Sequence, residues 1–460
     1  MPRRLRAATS RPVGTAGENR KDPIIMTLAF TPPTTAPPTP PEGPDVAVFE
    51  RYESHVRSYC RKFPVVFERA KGARLYAEDG RVFTDFFCGA GSLNYGHNPE
   101  PIKERIADYL ASDGMMHGLD MYTVAKRSFL VALTEHILRP RGLEYTAQFS
   151  GPTGADAVEA ALKLARKATG RRGIFAFSGG YHGMTRGSLA VTGNGRARRA
   201  GGVHGQDEVT FIPYEDGPQG PFDSVAFIER LLADSSSGVE VPAAVIVEPL
   251  QMEGGVYQAS ADWLRRLRVV TERHGILLIC DEIQSGCGRT GTFFAFEESG
   301  IVPDIVTVSK SISGYGLPLA LTLFRPGLDV WEPGEHTGTF RGNQLAFVAA
   351  TAAAELWSDP DFLDRLPVPA RRLAEFGAEL VAAEPEIVIR GRGMVLGIDL
   401  GRRGGGKRAE EVQRYAFDHG LIVELSGRDD EVIKVLPPLT VTPEELDHGI
   451  GVLRAALLSS

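Results

Sequence analysis

Two side chains able to do chemistry follow the ends of two apolar segments. Asp281 comes directly after the apolar run 276–280, and Lys310 follows the run 305–308 by two residues. Continuous apolar runs rich in β-branched residues predict buried parallel strands. The carboxyl ends of such strands line the ligand crevice of a doubly wound sheet. We therefore expect Asp281 and Lys310 to face one site.

This pair of residues suits pyridoxal 5′-phosphate (PLP). A lysine amine forms a Schiff base with the cofactor aldehyde, and an aspartate keeps the pyridine nitrogen protonated. Either residue alone is more commonly a solvated surface group. The prediction therefore depends on the residues that surround Asp281 and Lys310 in the sequence.

A glycine-rich turn before a predicted helix offers a site for the cofactor phosphate. Apolar residues recur at i, i+3, i+4 and i+7 from Val158 to Ala165, which predicts an amphipathic helix. Gly154 and Ala155 stand at its start, where free N–H groups and the positive end of the helix dipole attract phosphate. We expect these two residues to bind the phosphate.

Further polar and aromatic residues follow the neighbouring predicted strands. Tyr181 lies in a glycine-rich loop after the strand 174–177 and could stack on a cofactor ring, while Gln284 lies three residues after Asp281. Glu248 and Glu253 follow the strand 245–247. Since no metal-ligand spacing accompanies the two glutamates, we expect them to bind positive charge and not a metal.

The overall composition restricts the class of protein. The chain has 460 residues, 43% of them hydrophobic and 24% charged, which is typical of a soluble globular protein with several domains. A net charge of −7 gives no basic surplus for nucleic acid or an anionic membrane. The four scattered cysteines indicate reduced thiols, with no zinc site or disulfide framework. We expect a cytoplasmic protein.

Changes in composition predict the domain organisation. Residues 1–45 are basic and proline-rich, which is typical of a disordered extension. We expect residues 46–100 to form the first part of a small domain, 101–358 a large cofactor-binding domain, and 359–460 the rest of the small domain. Alternating strand and helix patterns over 140–325 predict an α/β fold with a mostly parallel sheet. One long helix is predicted over 100–138.

Taken together, these motifs resemble the class III aminotransferases, which are PLP enzymes of fold type I, over residues 46–455. The resemblance lies in DEIQSG, which begins at Asp281, and in SKS around Lys310. It implies a large domain with a mostly parallel central sheet, and a smaller α+β domain built from the N- and C-terminal segments. The stretches GPTGADAVEAALKLAR, GAGSLNYGHN and WEPGEHTGTFRGN look most like family members that transfer an amino group from glutamate to aspartate 4-semialdehyde in ectoine biosynthesis.

The resemblance also implies a role for each matching residue in the cofactor site. Lys310 would attach the cofactor covalently and transfer the proton. Asp281 would pair with the ring nitrogen, Gln284 would contact the ring hydroxyl, and Tyr181 would stack on the ring. The phosphate would be bound by Gly154, Ala155 and Thr339. In the family the threonine reaches the phosphate of the neighbouring subunit. The resemblance therefore implies a homodimer, or a larger homo-oligomer, with shared sites.

The substrate contacts are the least regular part of the match. Glu253 matches a glutamate that helps the family's sites to alternate between amino donor and acceptor. Lys434 stands where several relatives have an arginine that holds the substrate carboxylate, and lysine lacks the bidentate fork of arginine. Arg341 replaces a residue that is commonly small, and we expect that it supplies the missing carboxylate contact.

Other functions remain open at this point. The amine could be another ω-amine such as 4-aminobutyrate or ornithine, or the chain could be a PLP aminomutase or a PLP-binding protein without turnover. The complete set of Asp281, Gln284 and Lys310 argues against the last of these, because binding alone needs no proton carrier. The expected partners are small amino acids and a 2-oxo acid, with no nucleic acid and no membrane.

Overall fold

The computed structural model describes residues 46–202 and 208–458. The extension predicted for residues 1–45 lies outside the described residues, and the domain boundaries proposed above stay predictions.

The strands have the following bounds: β1 Phe67–Lys71, β2 Arg74–Ala77, β3 Val82–Asp85, β4 Thr146–Gln148, β5 Ile174–Phe177, β6 Val209–Ile212, β7 Ala244–Val247, β8 Leu250–Gln251, β9 Tyr257–Gln258, β10 Leu277–Asp281, β11 Ile305–Val308, β12 Leu321–Phe324, β13 Val388–Arg390, β14 Leu396–Asp399, β15 Leu421–Ile422, β16 Glu424–Ser426 and β17 Val432–Val435.

The helices have the following bounds: α1 Ala47–Tyr52, α2 Tyr59–Lys62, α3 Cys88–Gly91, α4 Glu100–Ala111, α5 Val124–Ala132, α6 Gly154–Thr169, α7 Arg186–Val191, α8 Gly195–Ala200, α9 Ser224–Ala233, α10 Ala261–Arg273, α11 Gln344–Glu355, α12 Pro360–Arg365, α13 Pro367–Ala383, α14 Gly405–Asp418 and α15 Pro443–Leu458. A π-helical turn covers Leu133–Leu138, and 3₁₀ turns include Ala295–Ser299 and Lys310–Ser313.

A seven-stranded sheet forms the centre of the molecule. Its strand order is β4-β12-β11-β10-β7-β5-β6, and only β12 runs antiparallel to its neighbours. Every residue of β5, β7, β10, β11 and β12 is buried. The predicted α/β fold with a mostly parallel sheet is confirmed, and it follows from apolar runs that can be buried only with helices on both faces.

Side chains that alternate along each strand divide between two hydrophobic layers. Ile246 and Ile279 pack on the side of α6, whereas Val245 and Leu278 pack on the opposite side with Trp263 of α10. The sheet is therefore covered on both faces, and its open edge lies at the strand ends. Ligand chemistry is expected at that edge.

Two smaller four-stranded sheets adjoin the central one. The order β1-β2-β3-β15 pairs strands near the two ends of the described chain, and β13-β14-β17-β16 is antiparallel. In the second of these sheets Glu424 of β16 stands directly opposite Lys434 of β17. This register places two charged side chains next to each other.

The prediction of one helix over 100–138 is wrong. The helix α4 ends at Ala111, Asp113 adopts a left-handed φ of 55°, and α5 begins only at Val124. Thr123 starts α5 as an N-cap that accepts a hydrogen bond from the Lys126 N–H group. The apolar stripe formed by Ile102, Ile106 and Tyr109 meets Asp113 and Gly114 at the next turn, so the Asp-Gly pair marks the break in the sequence.

Among the described residues, no helix combines the length and apolar character that crossing a membrane requires.

Candidate active site

The carboxyl ends of four adjacent strands place the predicted groups along one edge of the central sheet. Asp281 ends β10 beside Thr307 of β11, and Lys310 follows β11. Glu248 follows β7 directly, and the loop of Tyr181 follows β5. The Lys310 ammonium is within electrostatic reach of Glu253 and Asp281.

Hydrogen bonds at both oxygens fix the orientation of Asp281. Its Oδ2 lies 2.7 Å from Nδ1 of His182, and its Oδ1 accepts hydrogen bonds of 3.1 Å from the Thr307 hydroxyl and the Ile283 N–H group. Burial alone would lower the pKa of His182, but the hydrogen bond and charge of Asp281 outweigh burial and raise it. Asp281 is therefore hydrogen-bonded to an imidazole whose protonated form it stabilises.

Glu248 holds the loop that carries Tyr181. One of its carboxylate oxygens accepts a 2.7 Å hydrogen bond from the Tyr181 N–H group. Burial raises the pKa of Glu248 to about 7. The Tyr181 side chain remains 37% exposed and can present its ring to a ligand.

Lys310 has an unusual backbone conformation and a perturbed amine. Its φ of 52° is left-handed, which is uncommon outside glycine. The preceding Ser309 hydroxyl donates a 2.9 Å hydrogen bond to the Leu319 carbonyl and anchors the turn. Burial lowers the pKa of Lys310, and the Glu253 carboxylate offsets part of that shift. A lowered pKa enlarges the neutral, nucleophilic fraction of the amine.

A charged cluster lies beside Lys310. Lys434 Nζ is 2.5 Å from Glu253 Oε1 and 3.0 Å from Glu424 Oε2. Gln284 donates 2.9 Å hydrogen bonds to Glu253 and to the Ala90 carbonyl. The Lys434 side chain is fully buried, so the structure places it behind the glutamates and not at the surface of the crevice.

The start of α6 leaves two donors free for an anion. Thr153 and Asp156 form a capping box, in which the N–H group of each residue donates a hydrogen bond to the side chain of the other. The next donors at the helix start, those of Gly154 and Ala155, have no intrahelical partner. A Cβ at Gly154 would lie 2.9 Å from Ile283 Cδ1, so the absent side chain lets the backbone approach the loop after Asp281 closely.

Two predicted residues lie apart from this group within the single chain. Thr339 is exposed, and Arg341 lines a cavity of about 270 Å³ together with Gln148 and Trp331. Arg341 Nε is buried without a hydrogen-bond partner among the described residues. The structure therefore does not bring Thr339 and Arg341 to the Lys310 cluster of their own subunit.

Several residues in the site were missed by the sequence prediction. No functional role is predicted from the sequence for His182, Glu424 or Tyr59. Glu424 had a usable signal, because Gly427 and the polar residues after it separate two short apolar segments as in a hairpin. Tyr59 had none, since its hydroxyl reaches Glu424 across 365 positions of the sequence.

The residues present fit pyridoxal 5′-phosphate. Asp281 provides a fixed carboxylate for a protonated ring nitrogen, and Lys310 provides an amine of lowered pKa. The backbone N–H groups of Gly154 and Ala155 suit a phosphate. No other common cofactor needs this combination of a strand-end acid, a strand-end lysine and an anion site.

Comparison with known proteins gives the same assignment. The profile of the family described as aminotransferase class-III matches residues 56–457. A diaminobutyrate--2-oxoglutarate transaminase of Streptomyces coelicolor is 53% identical over 90% of this chain and 98% of its own length. A protein of the same name from Halalkalibacterium halodurans is 49% identical over 90% of this chain and 96% of its own length.

Solved structures share the fold. The ornithine aminotransferase of Toxoplasma gondii aligns with a TM-score of 0.76 at 25% identity, covering 90% of this chain and 94% of its own. A Bacillus anthracis aminotransferase aligns with a TM-score of 0.80 at 24% identity, covering 90% and 98% of the two chains. With the profile match and the relatives near 50% identity, these findings establish that the chain belongs to the class III aminotransferases, PLP-dependent transaminases of fold type I.

Proposed function

We propose that the enzyme transfers the amino group of L-glutamate to L-aspartate 4-semialdehyde, giving L-2,4-diaminobutyrate and 2-oxoglutarate. The observation that carries this proposal is the 53% identity, over nearly the whole of both chains, with a protein named diaminobutyrate--2-oxoglutarate transaminase. The family resemblance described above also supports an ectoine-type pathway as the destination of the product.

PLP, when bound, supplies an electron sink for the carbon that carries the amino group. Asp281, oriented by His182 and Thr307, would hold the proton on the ring nitrogen. Lys310 would anchor the cofactor. Once the substrate amine has displaced it, the neutral Lys310 Nζ would accept the proton from the substrate carbon and deliver it to the cofactor carbon that receives the amino group.

The remaining contacts would orient the cofactor and the substrate. The N–H groups of Gly154 and Ala155 would bind the phosphate, and the Tyr181 ring would lie against the cofactor. Gln284 would contact the ring hydroxyl through its side-chain oxygen, since both N–H bonds of its amide go to Glu253 and the Ala90 carbonyl. Release of the 2-oxo acid by water would leave the amino group on the enzyme, and the acceptor aldehyde would take it up as Lys310 Nζ moves the proton in the opposite direction.

We also propose that the enzyme works as a homodimer in which Thr339 and Arg341 serve the partner's site. The turn between α4 and α5 exposes large apolar side chains, among them Met116, Met121 and Tyr122. Phe340 packs edge-on against His117 of the same turn at 5.3 Å, so the loop of Thr339 adjoins this face. An exposed apolar face of this kind is typical of a protein interface.

We place the enzyme in the cytoplasm. All four cysteines are free, and Cys88, Cys280 and Cys287 are buried as thiols. Free thiols are the usual state in a reducing compartment.

Product analysis tests the proposed reaction. Purified enzyme is incubated with PLP, glutamate and aspartate 4-semialdehyde, and 2-oxoglutarate and diaminobutyrate are quantified together. We expect equal amounts of both products. Formation of 2-oxoglutarate only when another carbonyl acceptor replaces the semialdehyde would contradict the proposed substrate.

A second candidate is an ornithine transaminase. Its support is the structural likeness to the Toxoplasma gondii ornithine aminotransferase, at 25% identity. Ornithine and diaminobutyrate offered in competition distinguish the two candidates, since the better donor has the higher kcat/KM. We expect that donor to be diaminobutyrate.

A further inference from the structure

Beside Lys310, one ammonium group lies next to two carboxylates. Glu253 and Glu424 both have an oxygen within 3.0 Å of Lys434 Nζ. One cation thus faces two carboxylates. A balanced ion pair would need only one of them.

An ammonium group and a hydrogen bond hold the Glu424 carboxylate. Lys434 Nζ is 3.0 Å from Oε2, and the Tyr59 hydroxyl donates a 2.8 Å hydrogen bond to Oε1. Burial raises the pKa of Glu424, but the Lys434 ammonium opposes the rise. Desolvation, with the charge of Glu424, also raises the pKa of Tyr59, so that the phenol stays a donor. The ammonium group near Oε2 and the hydrogen bond at Oε1 both favour the charged form of Glu424.

The backbone fixes Glu424 more firmly than Glu253. Glu424 and Lys434 are directly opposite residues of the antiparallel strands β16 and β17, so the register of the sheet keeps their side chains next to each other. Glu253 lies in a turn after β8, and among the described side chains its carboxylate accepts hydrogen bonds from Lys434 and Gln284. The sheet therefore keeps Glu424 beside Lys434, whereas the position of Glu253 depends on a turn.

Of the side chains of Lys434, Glu424 and Glu253, that of Glu253 is the one accessible to a ligand in the crevice. The Glu253 side chain is 28% exposed, against 0% for Lys434 and 5% for Glu424. The Lys434 ammonium also lowers the pKa of Glu253 against the effect of burial, so Glu253 is anionic. A ligand in the crevice thus meets a carboxylate whose neighbouring ammonium is shared with a second acid.

We propose that Glu424 is a specificity-determining residue: by occupying Lys434 it leaves Glu253 with negative charge for the second ammonium group of an α,ω-diamino acid. This inference rests on the proposed function. Diaminobutyrate carries an α-ammonium group in addition to the ω-amine that reacts, whereas 4-aminobutyrate is the same carbon chain without it. Glu424 acts through Lys434 and Glu253, so it is a positioning residue.

The test measures diaminobutyrate and 4-aminobutyrate as amino donors and as competitive inhibitors against glutamate. The variant Glu424→Gln keeps the size of the side chain and the acceptor for Tyr59 but removes the charge. In the wild type we expect diaminobutyrate to bind more tightly. In the variant we expect the preference to fall about tenfold, through KM and Ki for diaminobutyrate and with little change in kcat.

Controls separate this role from a structural one. Glu424→Asp retains the charge and is expected to keep most of the preference. Glu445→Gln removes the charge of another buried glutamate, paired with Arg74 outside the crevice, and is expected to leave the preference intact. Tyr59→Phe provides a second probe if Glu424→Gln does not fold.

Three outcomes would overturn the proposal. One is a wild type that binds the two amines equally well, and another is an unchanged preference in a folded Glu424→Gln enzyme. The third is an equal loss of affinity for diaminobutyrate and 4-aminobutyrate in the Glu424→Gln enzyme. If the wild type reacts with neither amine but transaminates another substrate, the proposed function fails, and the inhibition constants still report separately on the charge selection.

Discussion

The two charged regions of the site are held in different ways. Asp281 is the last residue of a central strand. Its partner Thr307 lies on the next strand, Ile283 lies two residues further along the chain, and His182 lies in the loop after β5. Glu253 lies in a turn and is held by side chains from segments that are distant in the sequence. The cofactor side is thus fixed by the backbone of the sheet, whereas the substrate side depends on side-chain contacts.

This difference has a functional consequence. Both half-reactions use the same cofactor contacts, so a rigid Asp281 serves both equally well. The substrate side must accept a diamino acid in one direction and a dicarboxylate in the other. Contacts made by a turn can rearrange at lower cost than a strand can, since fewer hydrogen bonds are broken.

The largest effect is expected for Asp281→Asn. The amide cannot balance a protonated ring nitrogen, so we expect kcat/KM to fall by about 100-fold or more for both donor and acceptor. Single-turnover measurements of each half-reaction check this result. Asp418→Asn alters an exposed aspartate of α14 and serves as the control. A loss confined to one half-reaction would break the contrast between the two regions.

Arg341→Ala tests whether the partner's loop completes the substrate side. We expect KM for glutamate and for the semialdehyde to rise about tenfold with kcat nearly unchanged, because a carboxylate contact is lost. Exposed Arg402, replaced by alanine, is the matched control. Normal KM values in the Arg341 variant would remove it from the site.

His182→Gln tests, through the pH dependence of Tm, whether the imidazole that contacts Asp281 is protonated. The pKa of His182 in the folded protein is raised above its ordinary 6.5. Its protonated form therefore contributes stability that is fully present below that ordinary value and is lost as the pH rises through the folded pKa. We expect the difference in Tm between wild type and variant, without cofactor, to be largest near pH 6 and to shrink toward higher pH. A difference that is independent of pH would indicate a neutral imidazole.

The smallest effect is expected for Tyr59→Phe. Loss of the hydrogen bond to Glu424 should lower the free energy of unfolding by about 1 kcal/mol and change KM for diaminobutyrate by about two- to threefold. Denaturant unfolding and steady-state kinetics measure the two quantities. Tyr52→Phe, on an exposed tyrosine of α1, is the control. An effect as large as that of Asp281→Asn would mean that the substrate side is as rigid as the cofactor side.

The features best predicted from the sequence are those set by residues that are close together along the chain. The ends of apolar runs identified Asp281 and Lys310, and periodicity with a glycine-rich turn identified the start of α6. Because adjacent parallel strands end at one edge, the structure brings these residues together. Their chemical roles stay predictions.

Contacts between distant segments were not predictable in this way. The pairing of Glu424 with Lys434 needs the register of β16 and β17, and that of Tyr59 with Glu424 needs the packing of an N-terminal helix on that hairpin. The break after α4 depends on a left-handed Asp113 and the Thr123 cap, which apolar periodicity does not report. For the two Glu424 contacts the deciding interaction lies outside the local pattern.

The most direct test of the account separates the two half-reactions. Holoenzyme is mixed with glutamate alone, and 2-oxoglutarate is measured per active site before aspartate 4-semialdehyde is added. We predict one equivalent of 2-oxoglutarate, then a matching equivalent of diaminobutyrate after the semialdehyde, and neither product with Lys310→Ala. Continuous release of 2-oxoglutarate without an acceptor, or full activity of the Lys310→Ala enzyme, would contradict transamination through this lysine.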